Sequence, residues 1–161
     1  GFWQRVGIYW REGTGKNFTG RDDDIPWSAA FMSYIMRKAG ADGRFRFNAL
    51  HSVYIRKAIK ARQQRNRKYG FWGFRLSERS PEMGDLVCYA REPGINLDTQ
   101  SANYKSHADI VVSKSDHAIQ VIGGNVGSSV SLKTLRIEAG GILIDKRYKW
   151  FAVLQNRLDT A

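Results

Sequence analysis

The chain has 161 residues, and its 26 Lys and Arg against 15 Asp and Glu give a formal charge of +11. A folded chain of this length buries about 68–70% of the surface that it exposes when unfolded, which is enough for one full core. The hydrophobic content of 42% excludes intrinsic disorder, and no apolar run approaches the roughly 18 residues of a membrane span. The lone cysteine, Cys88, excludes an internal disulfide and every cysteine-based zinc site. We therefore expect a single soluble, basic domain over residues 1–161, with no cofactor and no metal.

Three helices are predicted in the first half of the chain. Residues 1–12 carry aromatic and aliphatic side chains at spacings of three, four and seven, the stripe of an amphipathic helix. Residues 28–39 are apolar nearly all round, have basic residues in the last turn and precede Gly40, so we expect a central helix there. A third helix is predicted over residues 49–68, where seven of the thirteen residues between Arg56 and Lys68 are basic.

The second half of the chain has the pattern of β-strands. Strands are predicted over residues 86–90, 110–112, 118–122, 130–137, 142–144 and 148–154, with a turn at residues 114–116. Residues 91–106 are expected to form a surface loop near a site. Because helices come first and a mostly antiparallel sheet follows, the sequence predicts an α+β domain.

Four short motifs contain residues suited to chemistry. They are Pro-Trp-Ser-Ala-Ala-Phe at 26–31, Gly-Asp-Leu-Val at 84–87, Ser-His-Ala-Asp-Ile-Val-Val at 106–112, and Ile-Gly-Gly-Asn-Val at 122–126. Each has a plain structural interpretation: Ser28 as a helix N-cap, His107 as a structural histidine, and Asn125 as a turn residue with positive φ. Alternatively, Ser28 is a nucleophile, because a helix N-terminus offers positive potential and free N–H donors to a developing oxyanion.

The order of these motifs resembles that of the papain-like cell-wall amidases, the NlpC and CHAP groups. The resemblance covers roughly residues 25–130. It is closest to a bacterial subgroup that carries the same Pro-Trp-Ser-Ala-Ala-Phe, Ser-His-x-Asp-Ile-Val-Val and Ile-Gly-Gly-Asn-Val motifs and is associated with type VI secretion effectors. The larger family has cysteine where this chain has Ser28, and a thiolate is a stronger nucleophile than a protonated hydroxyl.

The resemblance implies a papain-like fold, with N-terminal helices packed on an antiparallel sheet, and the hydrolysis of peptide or amide bonds in peptidoglycan. Ser28 would attack the carbonyl, His107 would transfer the proton, and Asn125 would orient the imidazole ring. It also implies a monomer that is secreted or delivered to the bacterial periplasm, with peptidoglycan as substrate and a secretion apparatus and a cognate immunity protein as partners.

Serine in place of cysteine leaves three interpretations open. The serine is native and acts as a nucleophile, it is an inactivating substitution, or the domain binds its target without cutting it.

Further residues compete for roles in the site. Asp109 lies two residues from His107 and so shares its strand face, which makes it an alternative orienter to Asn125. His51, at the start of the basic helix, is either a structural cap or a substrate contact or second base. Cys88 is an alternative nucleophile, although a buried inert thiol is the expected state of a strand cysteine. Two aromatic residues are candidate substrate contacts: Trp27 beside the nucleophile, and Tyr104 in the loop at 91–106.

The positive charge suits two classes of partner. It favours the carboxylates of peptide stems and the anionic bacterial envelope, or the phosphates of nucleic acid. No helix-turn-helix, zinc-finger, single-strand-binding or RNA-recognition motif is present, so nucleic acid is not favoured. The alternatives to an enzyme are a catalytically inactive module of the same fold that binds cell wall or an acidic partner, and a basic nucleic-acid-binding domain.

Overall fold

A computed structural model describes residues 1–159, and it contains three α-helices, one short 3-10 turn at Asp42–Arg44 and six β-strands. The helices are α1 (Phe2–Thr14), α2 (Ser28–Lys38) and α3 (His51–Gln63). The strands are β1 (Phe71–Phe74), β2 (Leu86–Ala90), β3 (Ser106–Lys114), β4 (Ala118–Val126), β5 (Ser129–Arg136) and β6 (Trp150–Asn156). None of the helices within residues 1–159 is long and apolar enough to cross a membrane. These three helices and six strands confirm the α+β class.

The first two helices form where the sequence predicts them. Gly15 ends α1 with a left-handed φ of 74°, and its N–H donates to the carbonyl of Arg11. Such a conformation is open to glycine at low steric cost, so the helix stops there. Helix α2 begins at Ser28 and ends at Lys38, one residue before the predicted end.

Helix α3 is shorter than the predicted 49–68. It begins at His51 and ends at Gln63, because Arg65 adopts a left-handed φ of 52°. The N–H of Asn66 then donates to the carbonyl of Ala61, which closes the last turn. This is the C-terminal capping geometry that glycine usually supplies. An arginine in that position gives no sequence signal, so the helix end was predicted wrongly.

All six strands belong to one antiparallel sheet in the order β1-β6-β2-β3-β4-β5. Strand β2 matches the prediction, and β3 and β4 are longer than predicted and form a hairpin through the predicted turn at 114–116. The predicted strand at 142–144 is wrong, because Leu143 makes only an isolated bridge to Ile137. Strand β1, with only four residues, was not assigned from the sequence.

The core has three parts, and two of them hold α2 against the sheet. One cluster lies between helices α2 and α3 and one face of the sheet, and a second covers the opposite face. A third joins α1 to α2 through Tyr9, Trp10 and Phe31. Because α2 is covered by α1 on one side and by the sheet on another, its N-terminus is fixed over strands β3 and β4.

Cys88 is fully buried in the first of these clusters. Burial, with a smaller contribution from nearby Asp109, raises the pKa of its thiol well above the ordinary value. A thiol that is both inaccessible and protonated is a poor nucleophile. The structure thus gives no support to Cys88 as the reacting group.

We predict that Cys88 in the native protein reacts with iodoacetamide only as fast as unfolding exposes the thiol. In protein unfolded by guanidinium, Cys88 should react at once. Mass spectrometry measures the labelled fraction without ambiguity, since Cys88 is the only cysteine. Fast labelling of the native protein would contradict the buried position.

Candidate active site

Ser28 is the first residue of α2, and Trp27 occupies the N-cap position. The side chain of Ser28 does not cap the helix; its hydroxyl turns toward the sheet and lies 2.8 Å from Nδ1 of His107. The two residues are 79 positions apart in the chain, so only the packing of α2 on β3 brings them together. The plain interpretation of Ser28 as an N-cap is therefore wrong.

His107 and Asp109 lie on the same face of β3, as alternate residues of a strand must. Nε2 of His107 donates to Oδ1 of Asp109 over 2.7 Å, and neither side chain is exposed to solvent. With Nε2 carrying its proton, the neutral ring has Nδ1 free to accept the proton of Ser28. The three residues thus have the contacts of a nucleophile, a base and an orienting carboxylate.

The charge of Asp109 is held by a second partner. Nζ of Lys133, on the edge strand β5, donates to Oδ2 of Asp109 over 2.8 Å. Burial raises the pKa of the Asp109 carboxyl, but the hydrogen bond and attraction to His107, together with Lys133, outweigh burial and lower the pKa overall. Asp109 is therefore ionised and can only accept hydrogen bonds.

Asn125 does not take the place that the sequence analysis gave it, because Asp109 occupies the position against the His107 ring. The pairing of β4 with β5 shifts between Gly123 and Val126, and Asn125 has a left-handed φ of 57°. This bulge breaks the alternation of side chains along β4 and re-aims Asn125. Its side chain instead lines a small cavity of about 150 Å³ beside Trp27, formed largely by the N-terminal segment.

The two glycines before Asn125 have a steric role. A Cβ on Gly123 would overlap Oδ1 of Asp109 and lie 2.7 Å from Nε2 of His107. A Cβ on Gly124 would lie 2.6 Å from Cβ of Phe31 on α2. Strand β4 can therefore approach both the His107–Asp109 pair and helix α2 only because Gly123 and Gly124 lack a side chain.

A second histidine contacts the same serine. His51, at the first position of α3, places Nε2 2.8 Å from Oγ of Ser28. Its other ring nitrogen, Nδ1, is hydrogen-bonded to the hydroxyl of Tyr54, one turn along the helix. Burial, then the proximity of His107 and Arg91, lowers the pKa of His51 well below its ordinary value. His51 is thus a neutral, buried member of the site.

The two aromatic candidates differ in position. Trp27 adjoins Ser28 and packs on Tyr9, with ring centroids 5.8 Å apart and 8% of its surface exposed. Tyr104 is 3% exposed, and its hydroxyl donates to Gln100 over 2.5 Å. Tyr104 therefore packs beneath its loop and offers little surface to a substrate.

Tyr54 and Lys133 belong to the site, although neither was among the residues predicted from the sequence. Tyr54 had a findable signal, since a residue three positions after His51 lies on the same helix face. Lys133 had none, because its contact with Asp109 depends on how β5 is placed beside β4. No group of three or more His, Cys, Asp or Glu side chains within residues 1–159 is arranged to hold a metal.

Residues 1–156 match the profile of the DUF2272 family, described as uncharacterized protein conserved in bacteria, and the chain belongs to this family. The comparison with curated proteins gave no match, and neither did the comparison with solved structures.

We predict that Gly123→Ala destabilises the fold by about 1–3 kcal/mol, because the added methyl group displaces the buried Asp109–His107 pair. Gly140→Ala is the matched control, since an added Cβ there meets no atom within 4 Å. Thermal unfolding of both variants measures the difference. Equal melting temperatures for the two variants would contradict the close approach of β4 to the histidine.

Proposed function

We propose that this DUF2272 protein is a serine hydrolase that cleaves peptide or amide bonds of peptidoglycan. The observation that carries the proposal is the continuous contact from Ser28 Oγ to His107 Nδ1 and from His107 Nε2 to Asp109, at 2.8 and 2.7 Å. These distances fall within the hydrogen-bond reach that a nucleophile and its base require. Asp109 replaces Asn125 as the third member.

The first half of the reaction forms an acyl-enzyme. Oγ of Ser28 bonds to the substrate carbonyl carbon while its proton passes to Nδ1 of His107. Asp109 accepts from Nε2 throughout and stabilises the imidazolium that forms. His107 then gives the proton to the leaving nitrogen, and the carbon–nitrogen bond breaks.

The second half releases the product. Water attacks the ester carbonyl and gives a proton to His107, and the proton then returns to Oγ as the ester bond breaks. The substrate acyl group leaves as a carboxylic acid, and Ser28 is restored. The bonds and protons of the two halves balance with the substrate, one water molecule and the side chains of Ser28 and His107.

The start of α2 supplies a donor for the oxyanion. The first N–H groups of a helix have no partner within the helix, and Ser28 is the first helical residue. Its own N–H therefore lies beside the carbon that its hydroxyl attacks. The positive end of the helix dipole favours the charge that develops there.

Peptidoglycan is proposed as substrate from the resemblance of the motifs to the papain-like cell-wall amidases and from the basic surface. A groove of about 1330 Å³ follows α3, and five exposed basic side chains line it. They are Arg37, Arg46, Arg56, Lys57 and Lys60. None of the five forms a salt bridge within residues 1–159, so their charge is available to an anionic polymer. Delivery to the periplasm as an effector, with an immunity protein, rests on the resemblance alone.

A module of the same fold that binds without cutting is the second candidate. One observation favours it: the hydroxyl of Ser28 already has two histidine partners, and only 7% of the residue is exposed. A closed polar network of this kind also serves structure alone. The two candidates differ in what happens when the hydroxyl is removed.

We predict that Ser28→Ala abolishes the release of fragments from purified sacculi and leaves the fold intact. Ser52→Ala is the matched control: Ser52 is also buried, adjoins His51, and its hydroxyl has no hydrogen-bond partner among residues 1–159. Chromatography with mass analysis of the released fragments detects cleavage and identifies the new termini. Cleavage by Ser28→Ala at the parent rate, or by neither the parent nor the control, would contradict the proposal.

We predict that the basic residues of the groove along α3 determine the affinity of the protein for sacculi. Arg62, another basic residue of α3, donates to Glu78 at 2.5 Å and does not line the groove, so the residues to change are Arg56, Lys57 and Lys60. Their replacement by Gln should weaken sedimentation with sacculi at low salt, because exposed charges act through screened attraction.

The control for that triple variant replaces Lys16, Lys146 and Lys149 by Gln, which removes the same charge away from the groove. An equal loss of binding in both variants would show that net charge, and not the groove, sets affinity.

A further inference from the structure

The hydroxyl of Ser28 lies between two imidazole rings. Nδ1 of His107 and Nε2 of His51 are each 2.8 Å from its oxygen. The hydroxyl has one proton and can donate to only one of them. The other ring must donate an N–H to Oγ, and which ring does so decides which histidine can act as the base.

The ion pair between Asp109 and Lys133 determines which histidine accepts the proton of Ser28. Oδ1 of Asp109 accepts from Nε2 of His107, so a neutral ring has only Nδ1 left to accept from Ser28. Lys133 already balances the charge of Asp109. A resting imidazolium would add an uncompensated charge to a site where His107 and Asp109 are both fully buried. Ser28 therefore donates to His107.

On the His51 side of Ser28, the hydrogen bond from Tyr54 gives the same direction of donation. Its hydroxyl is fully buried, and burial raises its pKa well above the ordinary value, so the phenol keeps its proton. The phenol donates to Nδ1 of His51, and the proton of that neutral ring lies on Nε2, facing Ser28. The hydrogen bonds then all run in one direction, each residue donating to the next, from Tyr54 through His51, Ser28 and His107 to Asp109.

We propose that His51 is a positioning residue, held by Tyr54, whose Nε2–H donates to Ser28 Oγ and directs the serine proton to His107. This role rests on the proposed function, since it assigns the nucleophile to Ser28. The same N–H stabilises the negative charge that grows on Oγ as the proton leaves, which is the help that a hydroxyl needs where a thiol would already be ionised. His51 is a donor and not a second base.

The burial of His51 agrees with this role. Its ring lies 5.2 Å from the ring of His107, and a charge on both rings would be repulsive. Burial and the neighbouring His107 and Arg91 lower the pKa of His51, so it remains neutral while His107 takes up the proton. The two histidines thus have different duties at the same oxygen.

The first test measures the protonation of each ring nitrogen and needs no substrate. The chain has three histidines, and His117 is exposed, so the loss of signals in His117→Gln and in His51→Gln assigns the spectrum of all three rings. Nitrogen-15 NMR at neutral pH should show Nε2 protonated and Nδ1 unprotonated in both His51 and His107. An unprotonated Nε2 on His51 would overturn the proposal.

The second test measures the reactivity of Ser28 with a fluorophosphonate, in which Oγ bonds to phosphorus, fluoride leaves and His107 takes the proton. His51→Leu removes the donor and should slow the reaction about tenfold to a hundredfold, the effect of one hydrogen bond to a group that becomes charged. His51→Gln, whose amide can donate but cannot act as a base, should recover most of the rate. Tyr54→Phe should slow the reaction while keeping the buried ring, and His117→Gln should react at the parent rate.

The outcomes separate this inference from the proposed function. A parent protein that reacts with the fluorophosphonate but leaves sacculi intact would refute the substrate and keep the role of His51. Equal rates for His51→Leu and the parent would overturn the role of His51, and so would a His51→Gln variant as slow as His51→Leu in a protein shown to be folded by circular dichroism. A parent that does not react at all would overturn both.

Discussion

The carboxylate of Asp109 is the group on which the rest of the site depends. It is fully buried, and it accepts from His107 on one oxygen and from Lys133 on the other. Removing a charge from water is costly unless partners replace the lost hydration, and these two partners do so. Because an ionised carboxylate can only accept, it fixes the proton on Nε2 of His107 and leaves Nδ1 facing Ser28.

The fold meets this constraint from three directions. Strand β3 places His107 and Asp109 on one face, strand β5 brings Lys133 to the carboxylate, and the start of α2 brings Ser28 to Nδ1 of His107. Strand β4 lies between β3 and β5 in the sheet, and Gly123 leaves the space that the histidine and the carboxylate fill. The absence of a side chain at one position is therefore as necessary to the site as the charged groups themselves.

Local sequence signals predicted much of the framework. Apolar periodicity and helix-end residues located α1 and α2, and β-branched or aromatic runs located β2, β3, β4, β5 and β6. Two of the failures involve non-glycine residues with left-handed φ, Arg65 just after α3 and Asn125 in the bulge of β4. The positive φ of Asn125 was foreseen from its residue type, but its effect on the direction of the side chain was not, and nothing in an arginine side chain indicates such a conformation. His107 and Asp109 share a strand face by alternation alone, which is why Asp109 was a candidate. Lys133 was beyond reach, because its partner is set by the pairing of strands.

The histidine pair gives serine a physical rationale in a position where the cell-wall amidases that the motifs resemble have cysteine. A thiol beside an imidazole ionises before the substrate arrives, whereas a hydroxyl loses its proton only during attack. His107 accepts from Oγ of Ser28 and His51 donates to it, so the hydroxyl proton and the lone pairs are already oriented before the substrate binds. Such preorganisation lowers the barrier because little reorientation remains for the reacting groups.

The most direct measurement is the interception of the acyl-enzyme by hydroxylamine during the digestion of sacculi. Hydroxylamine attacks the ester carbonyl in place of water, so the new acyl terminus becomes a hydroxamate and Ser28 is released. Covalent catalysis by Ser28 predicts that the hydroxamate share of these termini, measured by mass spectrometry, rises with hydroxylamine concentration. Termini that remain carboxylates at every concentration, or hydroxamates formed equally by Ser28→Ala, would contradict it.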